Sequence, residues 1–115
     1  MSHIPSEAEK IVVDGATVDF YKLAKDGQST YYFDTSKEGP PQPMVNAMAG
    51  LKLVTNPHTK LIMINHKKPM GLLNKIEENF NIEFENLSDG KVKLTFSYKD
   101  GKSEKANLND NSCHG

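Results

Sequence analysis

Three prolines within four residues separate an aromatic run from an apolar helical pattern, and this turn constrains the fold more than any other feature. The turn covers residues 34–44 (DTSKEGPPQPM), with Pro40, Pro41 and Pro43 near its end. Proline lacks a backbone N–H and fixes φ, so it ends strand pairing and suits the first turn of a helix. The sequence therefore predicts a rigid turn from a strand into a helix, with Pro43 at the first helical position.

The residues on either side of this turn have different periodicities. Residues 30–34 contain three consecutive aromatic side chains, a density typical of a well-packed strand. In residues 44–54 the apolar side chains recur at three- and four-residue spacings, which predicts a helix with a broad buried face. The turn is therefore expected to connect a strand to a helix.

A second strand-turn-helix unit follows along the chain. Residues 60–65 include four consecutive apolar residues without alternation, which indicates a central strand covered on both faces. Pro69 marks the next turn, and residues 70–80 have the apolar spacing of an amphipathic helix. Residues 82–87 and 91–98 then predict a closing β-hairpin, because the second run alternates cleanly between apolar and polar residues.

The N-terminal part of the chain adds one or two strands to this pattern. Residues 10–13 form a β-branched run closed by the Asp-Gly pair at 14–15, which is a strong hairpin signal. Residues 16–24 are compatible with a strand or with one face of a helix. We favour the strand, because a second Asp-Gly pair at 26–27 supplies a turn directly before the aromatic run.

The element order predicts a single domain of α/β class, an α+β two-layer sandwich. Its core is a β-α-β-α-β-β mixed sheet with two helices on one face, because a crossover between parallel neighbours is almost always right-handed. The predicted boundaries are a flexible N-terminus at 1–9, a domain at 10–99 with an N-terminal hairpin at 10–29, and a flexible polar tail at 100–115. The face opposite the helices would carry tyrosines and charged residues, and a homodimer is one way to cover it.

Composition argues against several classes of function. The 115 residues include 14 lysines and arginines against 15 acidic residues, a balance that argues against nucleic-acid binding. No apolar run approaches the roughly 20 residues that span a bilayer, and the N-terminus lacks the pattern of a secretory signal. Cys113 is the only cysteine, which excludes an internal disulfide and suits a reducing compartment. We therefore expect a cytoplasmic protein without a membrane or nucleic-acid partner.

Polar side chains gather at one predicted edge of the sheet. If the strands at 30–34 and 60–65 are parallel, their C-terminal ends lie together, where open α/β sheets usually bind ligands. Two helix N-termini with positive dipole character point to the same edge, although the prolines remove three donors from the first. The predicted ligand-binding residues come from both loops: Asp34, Ser36, Lys37, Asn65, His66 and Lys67. This set suits a small anion or a carboxylate of a protein partner, and ordinary solvated loops are the alternative.

Single residues with reactive side chains do not specify a reaction. The imidazole of His66 has the chemistry to ligate a metal, transfer a proton or fix its loop through a hydrogen bond. Because no carboxylate or other histidine lies at a helpful spacing in the sequence, we favour the structural hydrogen bond. Cys113 lies beside His114 and is a candidate thiol, although a cysteine in a polar tail is more often inert. We predict no catalytic residue, no metal site and no cofactor.

Two short motifs carry a family resemblance. The element order and the PPQP motif at 40–43 resemble the SirA/TusA-like domains, which are small two-layer α/β sandwiches. In the sulfur-carrier branch of that superfamily the motif reads Cys-Pro-x-Pro and its cysteine carries a persulfide, whereas Pro40 stands at that place here. The related SirA-like domain family of unknown function is more similar, and the NHKKP segment at 65–69 resembles its Asp-His-x-Pro-like segment, with Asn65 in place of the aspartate. The resemblance covers about residues 30–98.

This resemblance implies an architecture more than an activity. We expect a non-enzymatic binding or regulatory module that uses the loops at 34–42 and 65–69 to hold a small anionic ligand or a protein partner. The alternative hypothesis is a sulfur-relay or redox accessory protein in which Cys113 replaces the missing loop thiol.

Overall fold

The computed structural model describes residues 3–105 and residue 108 of the chain. Within these residues the backbone forms six strands, two α-helices and one short 3₁₀ helix. In chain order they are β1 (Glu9–Ile11), β2 (Phe20–Lys25), β3 (Gln28–Asp34), α1 (Gln42–Leu51), β4 (Thr59–Asn65), α2 (Met70–Ile76), β5 (Phe80–Asn86), β6 (Val92–Tyr98) and the 3₁₀ helix Ser103–Lys105.

The six strands form one mixed sheet in the order β1-β2-β3-β4-β6-β5. Strands β3 and β4 are parallel, and every other neighbouring pair is antiparallel. From β3 onward the elements follow the order β-α-β-α-β-β, so the predicted α+β fold is confirmed. The two strands that precede this unit, β1 and β2, extend the sheet beyond β3.

The main core lies between the helices and one face of the sheet. Met48 and Leu51 of α1 and Leu72 of α2 pack with the sheet residues that point to the helices. Among those sheet residues, Phe20 and Phe33 stack with ring centroids 4.8 Å apart. Gly50 brings α1 close to the sheet, because a Cβ atom at this position would lie 2.9 Å from side-chain atoms of Leu61 and Phe20. Both helices therefore cover the same face of the sheet.

A smaller apolar cluster covers the opposite face of the sheet. It is centred on Tyr32, Ile62 and Ile64, with Ile4 and Ala8 packed against it. Because β4 has buried residues on both faces, the predicted central strand is confirmed. The sequence predicts a flexible N-terminus here, whereas in the structure Ile4 and Ala8 pack against this cluster and His3 hydrogen-bonds to Asp89 in the β5–β6 turn.

The first Asp-Gly pair forms a turn, in which the Ala16 N–H donates to the Val13 carbonyl at 3.1 Å, but this turn does not join β1 and β2 as a tight hairpin. The two strands do pair antiparallel, across a longer loop. The register pairs Ile11 with Phe20, so residues 12–19 form a long connection between β1 and β2. The backbone N–H groups of Thr17 and Val18 donate to Asn46 Oδ1 at 2.7 and 3.2 Å, instead of pairing with a strand. The segment 16–24 is therefore a strand only from Phe20 onward.

The second Asp-Gly pair forms the tight turn that the sequence predicts. Lys25 pairs with Gln28, so Asp26 and Gly27 are the two turn residues between β2 and β3. Their φ angles are 53° and 78°, which suits the primed turns that join twisted antiparallel strands.

Both predicted helices differ from the observed ones at an end. Helix α1 begins at Gln42, which places Pro43 at the second helical position instead of the first. Helix α2 ends at Ile76, and Phe80, predicted as its last residue, begins β5 opposite Tyr98. Phe80 is 2% exposed, so its burial in the sheet core outweighs its match to the helical spacing.

The segment predicted as a polar tail contains a short anchored element. Ser103 Oγ donates to the Asn79 carbonyl at 2.6 Å and accepts from the Lys99 N–H at 2.8 Å. Ser103 thereby anchors the 3₁₀ helix to the end of the α2–β5 connection, while Cys113 lies outside the described residues. Within the described part of the chain, no helix is long and apolar enough to cross a bilayer.

Candidate functional site

Parallel pairing of β3 and β4 brings the two proline-containing loops together. Asp34 is in register with Ile64, so both strands deliver their following residues to the same edge of the sheet. The loop at 35–41 leads into α1, and the loop at 66–69 leads into α2. Between these loops lies a cavity of about 170 Å³.

The walls of the cavity are largely apolar. Prolines from both loops form much of its surface, and the first turns of the helices supply Met44 and Leu72. Its polar side chains come from the end of β4 and from the loop that follows it. The complete lining is Pro40, Pro41, Pro43, Met44, Asn65, His66, Lys67, Pro69 and Leu72. The cavity can therefore take an apolar group and offer polar contacts on one side.

Asn65 holds the two loops together from beneath the cavity. Its side chain is 2% exposed, and its Oδ1 accepts a hydrogen bond of 3.0 Å from Thr35 Oγ1. Its Nδ2 donates to the Lys67 carbonyl at 2.9 Å, which fixes the backbone that presents Lys67. Thr35 is fully buried, and its N–H also donates to the Ile64 carbonyl at 2.8 Å. Asn65 thus has a structural role in the site, with both ends of its amide already in use.

Half of the predicted ligand-binding set lies away from this cavity. Asp34 Oδ1 accepts a 2.8 Å hydrogen bond from the Ser36 N–H, which closes a local turn. Asp34 also lines a separate surface groove beside Tyr21. Lys37 is exposed and does not line the cavity. Of the six predicted residues, the structure brings together Asn65, His66 and Lys67.

His66 and Lys67 are the two exposed polar side chains of the cavity lining. Within the described part of the chain, the His66 side chain makes no hydrogen bond, and the tie expected from His66 comes instead from Asn65. Both His66 and Lys67 are therefore free to face a ligand, and Lys67 supplies a positive charge at neutral pH.

The start of α1 contributes little to anion binding. The Gln42 N–H donates to the Gly39 carbonyl at 3.1 Å, and Pro43 has no N–H to offer. No side chain caps this end of the helix. The positive character of the cavity therefore depends on Lys67 more than on the helix terminus.

Thr35 is the contributor to the site that the predicted set of ligand-binding residues leaves out, although the sequence places it at the same edge of the sheet. A single threonine in a polar loop has no periodic signature, and its role depends on a partner 30 residues away. The signal that could have indicated it is its position directly after a strand that pairs in parallel with β4. Among residues 3–105 and 108, no group of three or more His, Cys, Asp or Glu side chains is arranged to hold a metal ion.

The fold and the cavity place the protein in a structural class. It is an α+β sandwich with a small apolar site at the edge of its parallel strand pair. Comparison of the chain with protein-family models, with curated proteins and with solved structures finds no match. The resemblance to SirA/TusA-like domains therefore stays a prediction.

Proposed function

We propose that this chain is a non-enzymatic binding module whose cavity takes a short apolar group ending in a carboxylate. The observation that carries the proposal is the composition of the cavity, in which apolar walls adjoin two exposed polar side chains. Such a ligand is either a free short-chain acid or the C-terminal residue of a partner protein. Both sources present the same chemistry to the cavity.

The size and walls of the cavity support the apolar part of this ligand. A volume of about 170 Å³ is below the range of about 300–1,000 Å³ typical of sites for drug-sized ligands. It suits a chain of a few carbons or one amino-acid side chain. Four prolines hold the walls rigid, so binding requires little ordering of the protein.

The two exposed polar side chains of the cavity lining, His66 and Lys67, form the rim of the cavity and support the carboxylate part of the proposed ligand. Lys67 is a cation at neutral pH, and His66 beside it has a ring N–H to donate. Asn65 supports this contact by fixing the loop, because its Oδ1 and one of its two Nδ2 hydrogens bond to Thr35 and to the Lys67 backbone. A carboxylate at the rim would leave the apolar chain pointing between the prolines.

The nature of the proline turn disfavours sulfur transfer at this position. A persulfide carrier needs a thiolate, and Pro40 occupies the place where the resembled carriers have cysteine. Cys113 lies outside the described residues, so its role in a sulfur relay stays a prediction. The geometry of the cavity supports binding without covalent chemistry.

A titration followed by amide NMR tests the proposal. The probes are hexanoate, hexanol as the uncharged counterpart, inorganic sulfate, and a short peptide with either a free or an amidated C-terminus. We expect hexanoate to shift the amides of His66, Lys67 and Leu72 together, while hexanol and sulfate bind more weakly. A preference for the free-acid peptide over hexanoate would assign the ligand to a partner protein, and the reverse would assign it to a free acid.

Charge-neutralising variants give the matched controls. Lys67→Gln keeps a side-chain N–H donor but removes the charge, and should weaken hexanoate binding by up to about five-fold, since an exposed ion pair contributes about 0.2–1 kcal/mol. Lys52→Gln removes an exposed lysine at the opposite end of α1 and should leave affinity unchanged. Lys37→Gln tests whether the ligand binds at the cavity or across the whole predicted set of loop residues. Lys37 does not line the cavity, so binding there should leave the affinity of this variant unchanged. Equal losses in all three variants would refute the proposed site.

A further inference from the structure

Strand β5 is an edge of the sheet that the described part of the chain leaves unpaired on one side. It lies last in the strand order and pairs only with β6. Its sequence, FNIEFEN, contains neither proline nor lysine, which natural sheets use to block unwanted pairing at edges. At seven residues it is also longer than β1, the three-residue strand at the other edge.

The backbone register shows which groups of β5 face outward. The Leu87 N–H donates to the Lys91 carbonyl at 2.9 Å, next to the paired residues Asn86 and Val92. Hydrogen-bonded and non-hydrogen-bonded pairs alternate along an antiparallel ladder. Ile82 and Phe84 therefore direct their N–H and C=O groups away from β6. These groups are available to a further strand.

The two faces of this edge differ in chemistry. On the helix side, a groove of about 380 Å³ between α2 and β5 is lined in part by Met70, Ile82 and Phe84. Met70 is 54% exposed and Phe84 is 39% exposed, and Lys68 Nζ lies 4.7 Å from the Phe84 ring centroid. An added strand would place alternate side chains in this groove. Apolar side chains suit it, whereas Lys68 disfavours a further cation there.

The other face of β5 is acidic. Glu83 and Glu85 point to the side opposite Ile82 and Phe84, since successive side chains of a strand alternate. Both glutamates are exposed, and neither forms an ion pair with another described residue. Opposite charges across a strand pair stabilise it, and like charges directly opposite destabilise it. A strand that docks here should therefore carry basic residues on this face.

A second copy of the chain fits this edge poorly. Two antiparallel β5 strands centred on Phe84 would set Glu83 opposite Glu85 twice. Centring them on Glu83 would set the two Glu83 side chains directly opposite each other. Both registers set carboxylates directly opposite each other across the new strand pair, which like-charge repulsion disfavours. A register centred on Ile82 would set Glu83 opposite Asn81 and so offers Glu83 no facing cation.

We propose that β5 is a docking edge for an extended segment of a partner protein in which apolar residues alternate with lysine or arginine. The segment adds a seventh strand to the sheet, with its apolar side chains in the groove beside Met70 and Phe84 and its cations against Glu83 and Glu85. This surface is separate from the cavity at the proline turn, and it goes beyond the proposed ligand binding.

Blocked synthetic peptides test this docking edge. The probe is acetyl-KVKVKVK-amide, and the control is acetyl-EVEVEVE-amide. We expect the full chain to bind the lysine peptide about ten-fold more tightly than the glutamate peptide. Binding of the lysine peptide should also slow hydrogen exchange at the outward-facing amides of Ile82 and Phe84. Equal affinities, or unchanged exchange at these amides, would overturn the proposal.

Two further comparisons separate strand addition from simple charge attraction. The double variant Glu83→Lys/Glu85→Lys changes only exposed side chains and should reverse the preference between the two peptides. A lysine peptide that is N-methylated at the amides facing β5 keeps its charge but loses the N–H donors of the strand pairing. It should therefore lose most of its affinity. Undiminished binding of the N-methylated peptide would overturn the proposal, as would a homodimer that protects the amides of Ile82 and Phe84.

Discussion

Thr35 Oγ1 donates a buried hydrogen bond of 3.0 Å to Asn65 Oδ1, and this contact joins the two loops that enclose the cavity. Asn65 in turn donates to the Lys67 carbonyl at 2.9 Å. The position of the lysine on the rim therefore depends on a threonine in the other loop. The cavity is held by side-chain bonds beneath it as well as by the prolines of its walls.

Asn65→Ala should lower the free energy of unfolding by about 1–3 kcal/mol, because it leaves the Thr35 hydroxyl and the Lys67 carbonyl without this partner. Urea denaturation measures the change. Asn74→Ala, at an exposed position of α2, is the control and should stay within about 0.5 kcal/mol. Equal stability of the two variants would show that the bridge between the loops contributes nothing.

Ile4→Ala should lower the free energy of unfolding by about 1–2 kcal/mol, at the low end for apolar truncations because Ile4 is only partly buried. The cause is lost contact with the cluster of Tyr32, Ile62 and Ile64. Val12→Ala is the matched control, since Val12 is 100% exposed, and its effect should not exceed about 0.5 kcal/mol. If thermal unfolding gives the same midpoint for both variants, residues 3–8 do not stabilise the sheet.

Gly50→Ala should destabilise the protein by about 1–3 kcal/mol, although alanine favours helix formation. The new methyl group would lie 2.9 Å from buried atoms of Leu61 and Phe20. Gly39→Ala meets open space and should be neutral or stabilising by up to about 1 kcal/mol. Denaturant midpoints check both variants, and a stable Gly50→Ala protein would contradict the close approach of α1 to the sheet.

Burial, with a smaller effect of the Glu7 charge, raises the pKa of Tyr32 above its ordinary value of 10.0. As the pH rises past about 10, the tyrosine of the unfolded chain loses its proton before that of the folded protein, so stability falls. Tyr32→Phe should make this alkaline loss of stability shallower. The phenolate absorbance of the native protein, compared with that of Tyr32→Phe, should show a group that titrates above 10.0, and a group that titrates lower would contradict the burial.

Much of the fold could be predicted from sequence because its signals are local and repeated. The apolar run in β4, the alternation in β6 and the turn at Asp26-Gly27 each depend on neighbours along the chain. The turn at Asp14-Gly15 forms, but it does not join β1 to β2 directly, because Asn46, far away in sequence, bonds to the backbone of a longer connection. A local turn signal carries no information about such a distant acceptor.

The candidate site was predictable in outline and not in detail. Parallel pairing and the position of the prolines indicate the edge of the sheet at which the cavity lies. Which polar side chains line the cavity depends on side-chain direction and on the bonds of Asn65, neither of which has a sequence signature. The sequence pattern therefore predicts Asp34, Ser36 and Lys37 in one set with Asn65, His66 and Lys67, whereas the structure leaves the first three out of the cavity lining.

The most direct test of ligand binding locates the apolar end of the ligand. In a sample with labelled methionine and leucine methyl groups, nuclear Overhauser effects from the terminal methyl of hexanoate identify the side chains it contacts. The proposed binding mode predicts contacts to Met44 and Leu72, the cavity residues from the two helices. Contacts to the exposed Met70 instead, or no contacts at saturating hexanoate, would contradict it.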